Sequence, residues 1–422
     1  MARIEAGGWG HRTAMKINFR TGRPVWPTLP PGLQEIVELY QVAYFAPDPT
    51  ILLVTLAVYA AFLLGDSPLW LMIVGGASSG KTATMDSIRL LPNTYQCSTI
   101  TAPALLSGTP GKERAKDAKG GLLREVGEAG MLLLKDFTSM LSMGRDAQRE
   151  VLAALREIYD GKWVRRVGSD GGKQLMWEGK LAILAACTTS IDDHSHVMAA
   201  MGERFLYYRL PELEPDDQEK MAAMASQNLD AIKSYRQSLA ELTETFFQEL
   251  EVPAELPEAD AETLDFLKSL ATLVARCRSA VTRDSRSREI ETIHAPEEPA
   301  RIMGQLRLLE AGLAIIGVPL FWRLRIVRRV GLDCMPPLRR RVLERLARSG
   351  GPVDLASLAQ STKHPKTTTW RALDDLRAHG VVKLVDDAAL GSEAKAGNWL
   401  MRDEWRERWN RFPKSNAKSW CP

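Results

Sequence analysis

The 422-residue sequence predicts an α/β domain on a mostly parallel sheet, followed by a helical region and a C-terminal helix-turn-helix closed by a β-hairpin. Three observations lead there. Residues 69–74, 131–134 and 181–186 are continuous apolar runs, as strands buried on both faces require, and helical stretches separate them. A glycine-rich turn joins the first of these runs to a helix. From Pro336 onward the pattern is helix, short helix, helix, then two apolar strands around a polar turn.

Composition sets the outer limits. Hydrophobic residues at 45% and charged residues at 25% are ordinary globular proportions and exclude a wholly disordered or fibrous chain, while the length suits two or three domains. Lys+Arg 55 against Asp+Glu 52 leaves a formal +3, so charge has to be read by region. The five cysteines, Cys97, Cys187, Cys277, Cys334 and Cys421, lie far apart without a C-x-x-C pair. That excludes a disulfide framework or a zinc ribbon and suits a reduced, cytoplasmic protein. The N-terminus lacks the apolar core of a signal peptide, and the apolar run at residues 51–64 falls short of the ~20 residues a bilayer span needs. We read that run as a buried helix and expect no membrane contact.

Along the chain, residues 1–32 are rich in Gly, Pro and Trp and carry Arg3, Arg12, Lys16, Arg20 and Arg23 against Glu5, a basic arm. One helix begins near Leu33; a second follows Pro47, with Asp48 as cap and Pro49 at the first helical position. The strand at residues 69–74 leads through the glycine turn into a helix over residues 81–91. The strand at residues 131–134 runs into Lys135 and Asp136. A helix over residues 146–159 shows an apolar stripe at Val151, Leu152, Leu155, Ile158 and Tyr159. Residues 163–167 and 173–177 flank the turn at residues 168–172 as a β-hairpin. The strand at residues 181–186 ends at Cys187, Thr188 and Thr189. Residues 211–280 read as helices broken at Pro253 and Pro257, residues 282–298 as a polar loop, and Pro299 opens another helix through Ile316.

The glycine turn carries the sharpest chemistry. Gly75, Gly76, Ala77, Ser78, Ser79, Gly80, Lys81 and Thr82 match G-x-x-x-x-G-K-[ST] between a strand and a helix, which is the context the motif requires. Glycines let successive N–H groups turn toward phosphates, and the helix adds its positive end. Lys81 then reaches the β/γ-phosphates and the Thr82 hydroxyl ligates Mg²⁺, so ATP with Mg²⁺ is the expected ligand. The second strand ordinarily supplies two adjacent acids. Here it offers Lys135 and Asp136, so Asp136 is either the metal-ordering acid or the base, with Glu125 and Glu128 as upstream substitutes.

Further segments, in order, resemble the AAA+ ATPases of the clade with a β-hairpin before the sensor-1 strand, which includes minichromosome-maintenance and superfamily 3 helicases. The resemblance spans roughly residues 33–333. Residues 120–130 resemble the segment leading into Walker B, and Lys135, Asp136, Phe137 and Met140 match its Asp-Glu-Phe-x-x-x-Met, a register that puts Asp136 at the base position. The resemblance implies that the hairpin follows nucleic acid in the pore of a ring, with Arg165, Arg166 and Lys173 on phosphates. Thr188, or Thr189, falls where these helicases sense the γ-phosphate. Gly202-Glu203-Arg204-Phe205 resembles the arginine-finger segment, with Arg209 as the rival finger; a finger acts on the neighbouring subunit's nucleotide and so requires an oligomer, a hexamer by the family pattern. Arg301 stands near the sensor-2 position, with Arg283, Arg286 and Arg288 as alternatives.

The C-terminal pattern resembles a winged helix-turn-helix, whose second helix enters the major groove and here offers Lys366, Thr367, Thr368, Trp370 and Arg371. Residues 334–422 hold 17 Lys+Arg against 10 Asp+Glu, and the arm is +4, so two basic ends enclose an acidic middle. The implied organisation is a basic arm at residues 1–32, an AAA+ α/β core at 33–210, a helical lid at 211–333, and a winged helix with a basic tail at 334–422. The implied function is a ring-forming ATP-dependent DNA motor, a replicative helicase of a phage or mobile element working with other replication proteins. The alternatives are a slow-hydrolysing helicase loader or replication initiator, and an ATP-dependent transcription regulator.

Overall fold

The computed structural model describes residues 29–65, 67–107, 120–167, 173–194, 198, 201–385 and 397–411, with the backbone alone at residues 17–18, 23–24, 167 and 173. The rest of the basic arm, the hairpin turn at residues 168–172, the tail from residue 412, Cys421 and the Lys173 side chain lie outside the described residues. Two short strands, β1 (Ile17–Asn18) and β2 (Arg23–Pro24), pair antiparallel ahead of α1 (Pro31–Ala43) and α2 (Thr50–Phe62). All 13 residues of α2 are buried, which accounts for its apolar run. The helix starts one residue later than expected, with Pro49 rather than Asp48 at the cap position, although Asp48 still accepts from the Thr50 amide at 3.0 Å. No helix among the described residues is long and apolar enough to cross a membrane.

The core follows in chain order as β3 (Trp70–Val74), α3 (Lys81–Met85), β4 (Thr94–Cys97), α4 (Ala102–Leu105), α5 (Leu122–Val126), β5 (Ala129–Leu134), α6 (Thr138–Leu141), α7 (Arg145–Tyr159), β6 (Lys162–Val167), β7 (Lys173–Glu178), β8 (Lys180–Cys187) and β9 (Leu206–Arg209). Five strands form one parallel sheet in the order β4-β5-β8-β3-β9, and β6 and β7 stand apart as an antiparallel pair. The three anticipated strands are its centre. Two flanking strands, β4 and β9, go beyond the sequence reading. The strand β8 lies between β3 and β5, with Val74 opposite Cys187 and Leu134 opposite Ala185, so the carboxyl ends of all three lie at one level. At the other end Trp70 packs edge-on against Tyr159 and tilted against Phe205, with centroids 5.0 and 5.1 Å apart.

Three helices, Pro215–Gln227, Ile232–Glu249 and Ala261–Arg278, fill the region read as helical. The polar segment expected to be a loop is instead a hairpin, β10 (Val281–Arg283) with β11 (Ile290–Ile293). Its strands are short and largely exposed, with Val281, Ile290 and Ile293 scattered among polar residues, so no apolar run marked them. The Ala300–Ile315 helix crosses α2 so closely that a Cβ on Gly312 would lie 2.1 Å from the Ala57 carbonyl oxygen. After the Leu320–Asp333 and Pro337–Arg348 helices come β12 (Val353–Asp354), the Leu355–Thr362 and Lys366–Ala378 helices, β13 (Val382–Val385), β14 (Asn398–Met401) and the Asp403–Asn410 helix. The last three strands form a sheet in the order β12-β14-β13. Val353 and Asp354, read as helical, are the short first strand; Asp354 then caps the helix, accepting from the Ser357 amide at 2.9 Å.

Candidate functional site

The glycine loop is tied down on both sides. The Gly75 amide donates to the Cys187 carbonyl at 3.2 Å, and the Leu210 amide donates to the Val74 carbonyl at 2.8 Å. Its curl depends on left-handed backbone at Ser78 (φ 60°) and Gly80 (φ 85°), and only glycine adopts the latter without strain. Lys81 folds back over the loop, donating to the Gly75 carbonyl at 2.9 Å, to the Gly76 carbonyl and to Ser79 Oγ at 3.2 Å. Burial lowers its pKa, against the opposing pull of Cys187 and Asp136. A Cβ at Gly76 or Gly80 would meet nothing within 4 Å, so the loop's rim is open, and Thr82 is exposed at the helix start. The helix itself is anchored from behind: buried Tyr40 shares a 2.6 Å hydrogen bond with Thr84 Oγ1, and burial pushes the phenol's pKa up to about 12.

Asp136 and Thr188 converge on this loop. The Asp136 carboxylate is exposed and accepts from the Thr138 and Ser139 amides at 3.0 and 3.3 Å, capping α6. The Phe137 amide donates to the Ala186 carbonyl at 2.8 Å, stitching the end of β5 to β8. At the end of β8, the Thr188 amide donates to Thr138 Oγ1 at 3.1 Å and its hydroxyl pairs with Ser190 Oγ at 2.6 Å. With strands ~4.8 Å apart, β3 and β5 lie ~10 Å apart across β8, a gap suited to a terminal phosphate and an attacking water. Thr138, which the sequence reading passed over, bridges the Asp136 helix to Thr188; its only signal was its position two residues past the acid. Lys135 turns away to Asp86, its ammonium 2.9 Å from the carboxylate, so the position where a second acid is usual holds a committed cation. Thr189 is exposed at the start of a 3₁₀ turn.

The arginines fall in three places. Arg204 precedes β9, level with the start of β3, about 17 Å along the strand from Arg209. It is 8% exposed, donates to the Met201 carbonyl at 2.6 Å and to Asp160 at 3.0 Å, and lies over the Tyr159 ring. Arg301 joins it there, donating to the Gly202 carbonyl, with Glu297 at 3.8 Å. Arg301 therefore sits with Arg204 and away from the loop of its own chain. Arg209, at the loop's end of β9, is held in a bidentate pair by Asp192 at 2.8 and 2.9 Å. Arg283 is bound to Asp374 and Asp375 on the Lys366–Ala378 helix, which removes it and its loop from the phosphate site.

On the β6–β7 hairpin, Trp163, Leu175 and Trp177 form the buried face. Arg165 shares it, donating to the Leu106 carbonyl at 2.8 Å with Glu150 at 3.4 Å, whereas Arg166 stands on the open face beside exposed Met176. Lys366 and Arg371 are both exposed on their helix.

No protein-family model matches the chain, and none of the curated proteins does. Among solved structures, a Cytophaga hutchinsonii protein provisionally assigned as an ATPase matches at 10% identity and a TM-score of 0.37, over 72% of this chain and 86% of the other. The SCCmec type IV Cch structure, described as an active helicase, matches at 10% identity and a TM-score of 0.31, over 92% and 75%. The C-terminal region of NrS-1 matches at 10% identity and a TM-score of 0.26, over 94% and 82%. At these scores the likenesses carry no weight, and function rests on the chain's own geometry.

Proposed function

We propose that this chain is an AAA+ ATPase that works as a ring on DNA, a replicative helicase of a phage or mobile element. The observation that carries it is the convergence of the Gly75–Thr82 loop, Asp136 and Thr188 at the carboxyl edge of adjacent parallel strands. ATP would lie along the loop with its phosphates on the amides of residues 76–82. Lys81 would exchange its loop carbonyls for phosphate oxygens, a swap of neutral acceptors for charged ones that favours binding. The exposed Thr82 hydroxyl and Asp136 fit a magnesium ion, which when bound would neutralise charge on the β/γ-phosphates. Asp136 would hold the attacking water and take its proton, and Thr188 would orient the terminal phosphate.

Arg204 and Arg301 lie at the edge away from this loop, so any nucleotide they touch belongs to a neighbouring subunit; Arg204 would then give up Asp160 for a phosphate. The lid and winged-helix assignments follow the same reading, as do DNA contacts at Arg166, Lys366 and Arg371. Arg165 contributes by holding the hairpin to the body. A second reading, a slow-hydrolysing loader or initiator, is favoured by the Lys135–Asp86 ion pair at the metal-ordering position. Hydrolysis and strand separation with and without single-stranded DNA distinguish them. A motor gives DNA-stimulated turnover and unwinding that Lys81→Ala abolishes; a nucleotide-binding chain without unwinding is the second reading. Unwinding that survives Lys81→Ala refutes the motor.

A further inference from the structure

We propose that the β10–β11 hairpin is a second DNA-contact element, clamping duplex backbone beside the groove entered by the Lys366–Ala378 helix. This rests on reading that helix as the groove-entering one. Arg283 ties the hairpin to the helix. Arg283 donates to Asp374 at 3.1 Å, to Asp375, and to the Arg371 carbonyl at 3.3 Å, so its side chain tethers the hairpin to the middle and C-terminal half of the helix. The N-terminal half, with Lys366, Thr367 and Arg371 exposed, stays open, and that is the half that meets base edges in helix-turn-helix docking.

Charge at the junction is arranged for an anion. The two helix carboxylates that would repel phosphate are both neutralised: Asp375 by Arg283 and by Arg339 at 2.9 Å, Asp374 by Arg283 and by Arg377 at 3.1 Å. Within the hairpin tip, Asp284 is turned onto the chain itself, accepting from the Arg286 and Ser287 amides at 2.9 and 2.6 Å. Arg283 also donates to the Arg288 carbonyl at 2.8 Å, which holds Arg288 in left-handed backbone (φ 62°). Arg286 and Arg288 are left exposed on a built tip, against Glu289 and Glu291, and Arg283 bonds the backbone carbonyls of both Arg288 and Arg371. Two cations beside an open recognition half fit the phosphates flanking one groove of a duplex. Single-stranded DNA lacks that fixed spacing.

The test is fluorescence-anisotropy titration of a labelled duplex with full-length protein across salt concentrations. Each lost phosphate contact lowers the slope of log K against log salt by about 0.9. Arg286→Ala with Arg288→Ala is expected to lower the slope by about two units while nucleotide binding stays at the wild-type level. Lys366→Ala with Arg371→Ala is expected to weaken duplex binding as well. If only the helix pair weakens binding, the hairpin proposal falls and the groove reading stands. If neither pair does, the groove reading falls and takes the hairpin with it. An equal loss on single-stranded DNA from the hairpin pair also overturns the clamp.

Discussion

The proposed function gives Asp136 a second role beside its hydrogen bonds to the Thr138 and Ser139 amides, and two substitutions part the two. As a cap its carboxylate serves the Thr138 and Ser139 amides from an exposed position, so loss of the cap costs about 1 kcal/mol, whereas asparagine keeps an accepting oxygen and costs a few tenths. On the proposed reading, as a base beside the glycine loop it would contribute on the order of 10²–10⁴ to the hydrolytic step. Asp136→Asn is therefore expected to fold within about 0.5 kcal/mol of wild type yet hydrolyse ATP slower by at least about 10²-fold. Asp136→Ala is expected to match that kinetic loss and to unfold about 1 kcal/mol more easily. Single-turnover hydrolysis at saturating Mg·ATP reads the first quantity and urea unfolding the second. An Asp136→Asn protein of wild-type rate refutes the assignment of the base. A rate that falls only with Asp136→Ala, in step with stability, reduces Asp136 to its cap.

Three further outcomes follow from the packing. Gly312→Ala forces a methyl onto the Ala57 carbonyl, and overpacking of about 1–3 kcal/mol exceeds the ~1 kcal/mol of helix propensity gained, so denaturant midpoints should fall. Lys135→Asp places a carboxylate against Asp86 and should destabilise by about 1 kcal/mol, an effect that adding Asp86→Lys reverses in thermal melts. His379 is buried, and burial, reinforced by Arg339 and opposed by the Ala280 and Ser279 backbone and by Asp375, holds its pKa below 6.5. The unfolded chain then binds the proton more readily, so this stability is full above about 6.5 and is lost as the pH falls from there through the lower folded value. His379→Leu should flatten this dependence in urea titrations at stepped pH, and an unchanged slope would exclude the imidazole as its source.

What the sequence discloses and what it withholds divide along physical lines. The strands β3, β5 and β8 are buried on both faces, so their apolar runs announce them. Thr94–Cys97 is a half-exposed edge, and Leu206–Arg209 is four residues long, so neither has the length or pattern to stand out. The β10–β11 hairpin has short, largely exposed strands and docks through Arg283 onto acids about ninety residues away, a pairing invisible to any local window. The site shows the same split. The glycine loop ending in Lys81 and the acid closing β5 were legible because each is a contiguous stretch of sequence. Thr138 and the Lys135–Asp86 pair depend on which strand ends lie side by side, and only the sheet order reveals that. The company Arg301 keeps with Gly202 and Arg204 is likewise a product of tertiary packing.

Calorimetric titration of Mg·ATP into the wild-type chain and into Lys81→Ala decides whether the glycine loop is a nucleotide site. The geometry predicts one site per wild-type chain and an affinity loss of at least about tenfold in the variant, equivalent to ~1.4 kcal/mol for the exchanged charge-assisted bonds. Equal affinity in the two proteins, or no heat of binding in either, would contradict it.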